Sequence, residues 1–84
     1  MTTKIEVFST DGCPHCPGAV RMAEEVKQEL GDIDLEIVKI DNEENRQRAV
    51  DYGIMAVPTI VINNNVEFTG APAKEDLIAR IKSL

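Results

Sequence analysis

Residues 11–19 read DGCPHCPGA. These nine positions hold both cysteines of the chain, two of its four prolines, two of its five glycines and its only histidine. Upstream, Lys4 to Ser9 (KIEVFS) alternates apolar and β-branched residues, the habit of a buried strand. Downstream, Ala19, Ala23, Val26 and Leu30 recur at steps of four, three and four, which is a helical stripe, and Gly31 supplies the stop just past its end. Leu35 to Ile40 (LEIVKI) reads as a second strand. A strand, a crossover helix and a strand of this length make a βαβ unit, so the two strands are expected to be parallel. The cysteine pair falls between the first strand and the first helix.

Past Asp41 the pattern changes. Asp41 with Glu44 three residues on has capping-box form, predicting a polar helix to about Tyr52 that Gly53 ends. PTIVINNNVEFTG reads as an antiparallel hairpin: Ile60, Val61 and Ile62, then three asparagines that tolerate positive φ, then Val66 and Phe68 alternating with Glu67 and Thr69. A last helix from about Ala73 to Ser83 lays Leu77, Ile81 and Leu84 on one face, with a weak N-cap because neither Ala71 nor Pro72 can accept an amide hydrogen bond. The order β-α-β-α-β-β-α defines an α/β fold with a four-stranded mixed sheet and three flanking helices.

With 84 residues, residues 1–84 are expected to form a single domain with a thin core. Apolar residues at 43% and charged residues at 29% give a globular balance that folds without metals or structural disulfides, which frees the cysteines for chemistry. Fifteen acidic against nine basic side chains leave a net charge of −6, spread along the chain, which argues against nucleic acid or an anionic membrane as partner. The N-terminus MTTKIEVFST lacks the basic start and apolar run of a signal peptide, and the expected localisation is cytoplasmic. No Gly-x-Gly-x-x-Gly follows a strand, so no bound nicotinamide or flavin is indicated.

The chain resembles the thioredoxin and glutaredoxin superfamily along nearly its whole length, and in its glutaredoxin-sized core with Cys-Pro-His-Cys it is similar to the small thioredoxins of archaea. Four segments carry the likeness: Cys13-Pro14-His15-Cys16, Tyr52-Gly53-Ile54, Val57-Pro58-Thr59, and Gly70-Ala71 followed by Lys74 and Leu77. The resemblance implies a thiol-disulfide oxidoreductase that reduces protein disulfides through a reversible Cys13–Cys16 pair, contributing to cell redox homeostasis. It implies no bound cofactor or metal beyond that redox-active disulfide, a separate reductase as electron donor, and a monomer. It also implies a cis bond before Pro58, facing the cysteines, with Ala56, Val57, Pro58 and Gly70 as the substrate-binding set within an apolar rim of Met55, Ala56, Val57, Ala71 and Pro72.

Physical reasons for these residues stand beside the likeness. With Cys13 at an N-cap position, Pro14 takes the first helical position, where a missing donor costs nothing. The amides of His15 and Cys16, with the positive end of the helix dipole, then favour a Cys13 thiolate. Cys13 is the expected nucleophile. Cys16, one turn in and less exposed, is placed to attack a mixed disulfide. Pro17, at the fourth helical position, is expected to loosen the first turn. Pro14 and His15, the dipeptide that tunes redox poise in the family, resemble those of strongly oxidising members, and a charged imidazole beside Cys13 stabilises its thiolate.

Departures from the family pattern are specific. Gly12, Val7 and Ile37 stand where thioredoxins usually carry Trp, a buried Asp and a Lys, so no proton acceptor for Cys16 is identified. A glutathione-dependent glutaredoxin is the alternative within the same chemistry, disfavoured by Asp11 two residues before Cys13 and by Ala71 in place of a second glycine. A metal or cluster carrier using Cys13 and Cys16, with His15, is the alternative of another class, and a four-ligand site within one chain lacks a third cysteine or second histidine. A purely structural disulfide closes almost no loop and contributes little.

Overall fold

The computed structural model describes residues 2–83. Seven elements follow in the expected order: β1 (Thr3–Ser9), α1 (Cys16–Leu30), β2 (Ile33–Lys39), α2 (Glu43–Asp51), β3 (Thr59–Ile62), β4 (Asn65–Thr69) and α3 (Lys74–Lys82). The sheet order is β2-β1-β3-β4, with β1 parallel to β2, β3 antiparallel to β1 and β4 antiparallel to β3. This is the mixed four-stranded sheet read from the pattern.

Strand β1 sits inside the sheet and is covered on both faces, so Ile5 through Ser9 are all buried. Ile5 and Val7 meet Ala19, Ala23 and Val26 of α1 and Leu77 of α3. Phe8 turns the other way, onto Val38, Val61 and Ala49 of α2. The alanines of α1 matter here, because small side chains at the contact let the helix lie close to the sheet. Glu6 shares the α2 face and is 1% exposed. A buried carboxylate requires partners. Arg48 Nη2 donates to its Oε2 at 2.6 Å and the Tyr52 hydroxyl to its Oε1 at 2.8 Å, while the same guanidinium forks onto Glu36 at 2.8 and 3.0 Å. This network fastens α2 to β1 and β2. Arg48 holds the Glu36 carboxyl below its usual range, and burial with the Glu6 carboxylate pushes the Tyr52 phenol up.

Several boundaries differ from the sequence reading. Strand β2 begins at Ile33 rather than Leu35 and ends at Lys39, because the parallel register runs from Thr3 opposite Ile33 to Ser9 opposite Lys39. Asp41 does not cap α2. Asn42 does, accepting the Asn45 amide at 2.8 Å, while Asp41 reaches back to the loop after β1. Helix α3 is entered through Ala73, which offers no side-chain cap, so the weak start falls one residue later than the Ala71–Pro72 pair suggests. The hairpin turns on Asn63 and Asn64 at φ +48° and +69°, with Asn65 already in β4. Gly31 ends α1 at φ +66°, its amide bonding the Lys27 carbonyl. Leu84 lies outside the described residues.

Candidate active site

The loop between β1 and α1 brings Cys13 and Cys16 into a disulfide. Its local geometry corrects the sequence reading. Helix α1 starts at Cys16 with His15 as N-cap, so neither Cys13 nor Pro14 occupies the positions expected of them. Pro17 is the physical reason. At a fourth helical position its ring would crowd the Cys13 carbonyl and its missing amide would leave that carbonyl unpaired. Starting the helix later places Pro17 in the first turn, where amides are unpaired in any case. The first turn is therefore not loosened by Pro17. Residues 13–16 form a separate turn, with the Cys16 amide 3.4 Å from the Cys13 carbonyl, so that amide points at an oxygen and not at the Cys13 sulfur.

The two sulfurs sit in unequal surroundings. Cys16 is 3% exposed, whereas Cys13 is half-buried and Pro14 and His15 are exposed. Cys13 Sγ lies 3.7 Å from the Val57 carbonyl oxygen, which brings the residue 57–59 segment against the cysteines although 44 positions separate the two. The Val57–Pro58 bond is cis. The Pro58 carbonyl accepts the Gly70 amide at 2.8 Å, and the Thr59 hydroxyl donates to the Ala56 carbonyl at 2.6 Å. Among the described residues no backbone hydrogen bond engages the Val57 amide or carbonyl. Met55, at 98% exposure, and the exposed Ala56 and Ala71 flank this segment, with Val57 and Pro72 half-buried.

A cleft of about 460 Å³ opens beside the disulfide, walled by Ser9, Asp11, Cys16, Val20, Ile37 and Lys39 among others. Its rim is tied down by charge. Thr10 donates its hydroxyl to Asp41 Oδ1 at 2.5 Å, the Asp11 amide donates to Asp41 Oδ2 at 3.2 Å, and Lys39 Nζ donates to Asp11 at 2.7 Å. The Thr10 hydroxyl chiefly, helped by the Asp11 amide and Lys39, holds the Asp41 carboxyl below its usual value. Bonding to Asp11 raises the Lys39 ammonium. Such exposed pairs contribute little to stability but fix the loop that carries Cys13. Ser9, Lys39 and Asp41 are site residues that sequence reasoning missed. A smaller pocket of about 160 Å³ is lined by Ile40, Arg46, Ala49, Ile54, Met55 and Val57 among others. Among the described residues no three His, Cys, Asp or Glu side chains converge as metal ligands.

The family model described as a thioredoxin domain matches residues 3–82. The chain belongs to the thioredoxin family. It is 57% identical over 79 residues to a thioredoxin of Methanocaldococcus jannaschii, covering 94% of this chain and 92% of that one. It is 48% identical over 81 residues to a probable thioredoxin of Methanothermobacter marburgensis, covering 96% and 94%. In fold it superposes on a malaria-parasite thioredoxin-2, with a TM-score of 0.85 at 24% identity over 99% of this chain and 84% of that one. This thioredoxin is a thiol-disulfide oxidoreductase with a redox-active Cys-x-x-Cys pair. No helix among its described residues is long and apolar enough to cross a membrane.

Proposed function

We propose that this thioredoxin reduces protein disulfides with Cys13 as the attacking and Cys16 as the resolving cysteine. The observation that carries the reading is the asymmetry of the pair: Cys16 is buried at 3% exposure, whereas Cys13, beside Val57, is only half-buried. The Cys13 thiolate attacks one sulfur of the substrate disulfide and expels the other as a thiolate, which takes a proton from solvent. Cys16 then attacks Cys13, closes the Cys13–Cys16 disulfide and releases the second substrate thiol. Two electrons leave with the substrate.

The substrate segment lies extended along Val57, whose amide and carbonyl make no backbone hydrogen bond within the fold and supply strand-type ones, with Ala56 and Pro58 beneath it. Gly70 supports this docking site by donating its amide to Pro58, and its φ of +94° is a backbone setting that disfavours other residues. Pro14 and His15 tune the reactivity of Cys13. The Cys13–Cys16 pair is itself the redox group, and a separate enzyme of the thioredoxin reductase class recharges it. The protein acts as a cytoplasmic monomer folded as one domain. Reduction of insulin disulfides driven by NADPH and a thioredoxin reductase, compared with reduction driven by glutathione, tests the reading. The reductase is expected to sustain turnover, and glutathione serving as the better donor would overturn it.

A further inference from the structure

We propose that Ser9 is the positioning residue for Cys16: in the dithiol state its hydroxyl donates a hydrogen bond to the Cys16 sulfur and stabilises the thiolate that completes the exchange. The inference rests on Cys16 being the resolving cysteine. Side chains alternate along β1, and Ile5 and Val7 face α1. Ser9 is the next residue on that face, one step nearer the first turn of α1, where Cys16 is buried. Both residues line the same cleft.

Ser9 is 2% exposed, and its Oγ is the one buried side-chain polar atom among the described residues without a hydrogen-bond partner. A buried hydroxyl left unpaired is unfavourable, and an alanine of nearly the same shape would avoid the penalty. Ser9 is unpaired in the disulfide state, where the Cys16 sulfur is bonded to Cys13 and is a poor acceptor. Reduction changes that sulfur into a thiol and then a thiolate, a strong acceptor for an O–H donor. Of the other polar side chains on the cleft wall, Thr10 bonds Asp41 and Lys39 of β2, exposed to solvent, bonds Asp11 of the loop. Val20 of α1 and Ile37 of β2, also on the wall, carry no side-chain donor.

In the resolving step the Cys16 thiol loses its proton to water in the cleft. The thiolate forms the bond to the Cys13 sulfur as the Cys13–substrate bond breaks, and the departing thiolate takes a proton from solvent. Ser9 keeps its own proton throughout.

The test equilibrates the full-length protein, Ser9→Ala and Ser9→Thr with glutathione redox buffers and measures the dithiol-to-disulfide ratio. Ser9→Ala loses a bond made only in the reduced form, so its equilibrium is expected to move about tenfold toward the disulfide, about 30 mV more negative for a two-electron couple. Ser9→Thr retains the hydroxyl and is expected to stay within about twofold of the native value. A merely structural serine would change the thermal stability of both redox forms alike and leave the equilibrium unmoved, which would overturn the proposal. So would an equal shift in the threonine variant. Because this readout does not depend on which cysteine attacks first, a wrong assignment of Cys13 and Cys16 is detected separately by trapping mixed disulfides with each cysteine variant.

Discussion

Replacing Arg48 with methionine removes the guanidinium that neutralises Glu6 and keeps much of the apolar stem. Glu6 is 2% exposed at its side chain and retains only the Tyr52 hydroxyl at 2.8 Å, with Lys4 Nζ 4.0 Å away. Breaking a buried ion pair by removing one partner costs about 3–5 kcal/mol, because the remaining charge stays buried. Arg48 is itself 32% exposed, so water reaches part of the site and the lower end, about 3 kcal/mol, applies. For a domain of this size the unfolding entropy is about 180 cal/mol/K, so the melting temperature is expected to fall by about 15 °C. Circular dichroism of thermal unfolding at pH 7 measures it. Glu6→Gln in the Arg48→Met background removes the stranded charge and is expected to recover most of the loss.

The pH dependence has a definite sign. Arg48 depresses the Glu36 carboxyl in the folded state, so that contribution is present above the ordinary value of 4.5 and is lost as pH falls through the lower folded value. The gap between native protein and variant is therefore expected to be full at pH 7 and to narrow below about pH 4.5. A loss under about 1 kcal/mol, or no rescue by Glu6→Gln, would refute the reasoning.

Other expectations follow from the active-site end. His15→Ala removes an exposed imidazole next to the reactive turn and is expected to raise the Cys13 pKa toward the free-cysteine value of about 8.5, with a shift of the potential to more negative values by on the order of 30 mV. Thiolate absorbance against pH and redox-buffer equilibration read both, and unchanged values would show that His15 does not tune Cys13. The Asp41 anchor, with its folded pKa depressed, is present above the ordinary 3.8 and lost as pH falls through the lower folded value. The NMR shift of the Asp11 amide should hold steady from neutral pH to about 4 and move below it, and Asp41→Ala should show the shifted position at pH 7. A pH-independent shift, or an unmoved one in Asp41→Ala, would contradict the anchor.

Features set by local chemistry were legible in the sequence. The period-two run of β1, the four-three-four stripe of α1, the Asn-rich turn and the glycine stops each depend on neighbouring residues, and each appears in the structure with its type unchanged. What escaped depends on where distant segments meet. The burial of Glu6 carries no local signal, because it depends on α2 covering that face and on Arg48, 42 positions away, pairing with it. Asp41 has the form of a cap, yet Thr10 and the Asp11 amide, 30 positions back or more, compete for its carboxylate and Asn42 takes over the cap. The start of α1 differs from the local pattern because Pro14 satisfies the rule for a first helical position while Pro17, three residues on, makes that start costly. Ser9 carries no sequence signal beyond its register with Ile5 and Val7; only burial without a partner marks it out.

The division of labour between the cysteines is tested most directly by trapping. Cys16→Ser and Cys13→Ser, each incubated with a disulfide-containing protein and quenched with an alkylating agent, are resolved on a non-reducing gel. Cys16→Ser is expected to accumulate the mixed disulfide, since the attack on Cys13 that would release it is missing, and Cys13→Ser is expected to form none because the buried Cys16 cannot reach the substrate. Equal trapping by the two variants, or trapping by Cys13→Ser alone, would contradict the account.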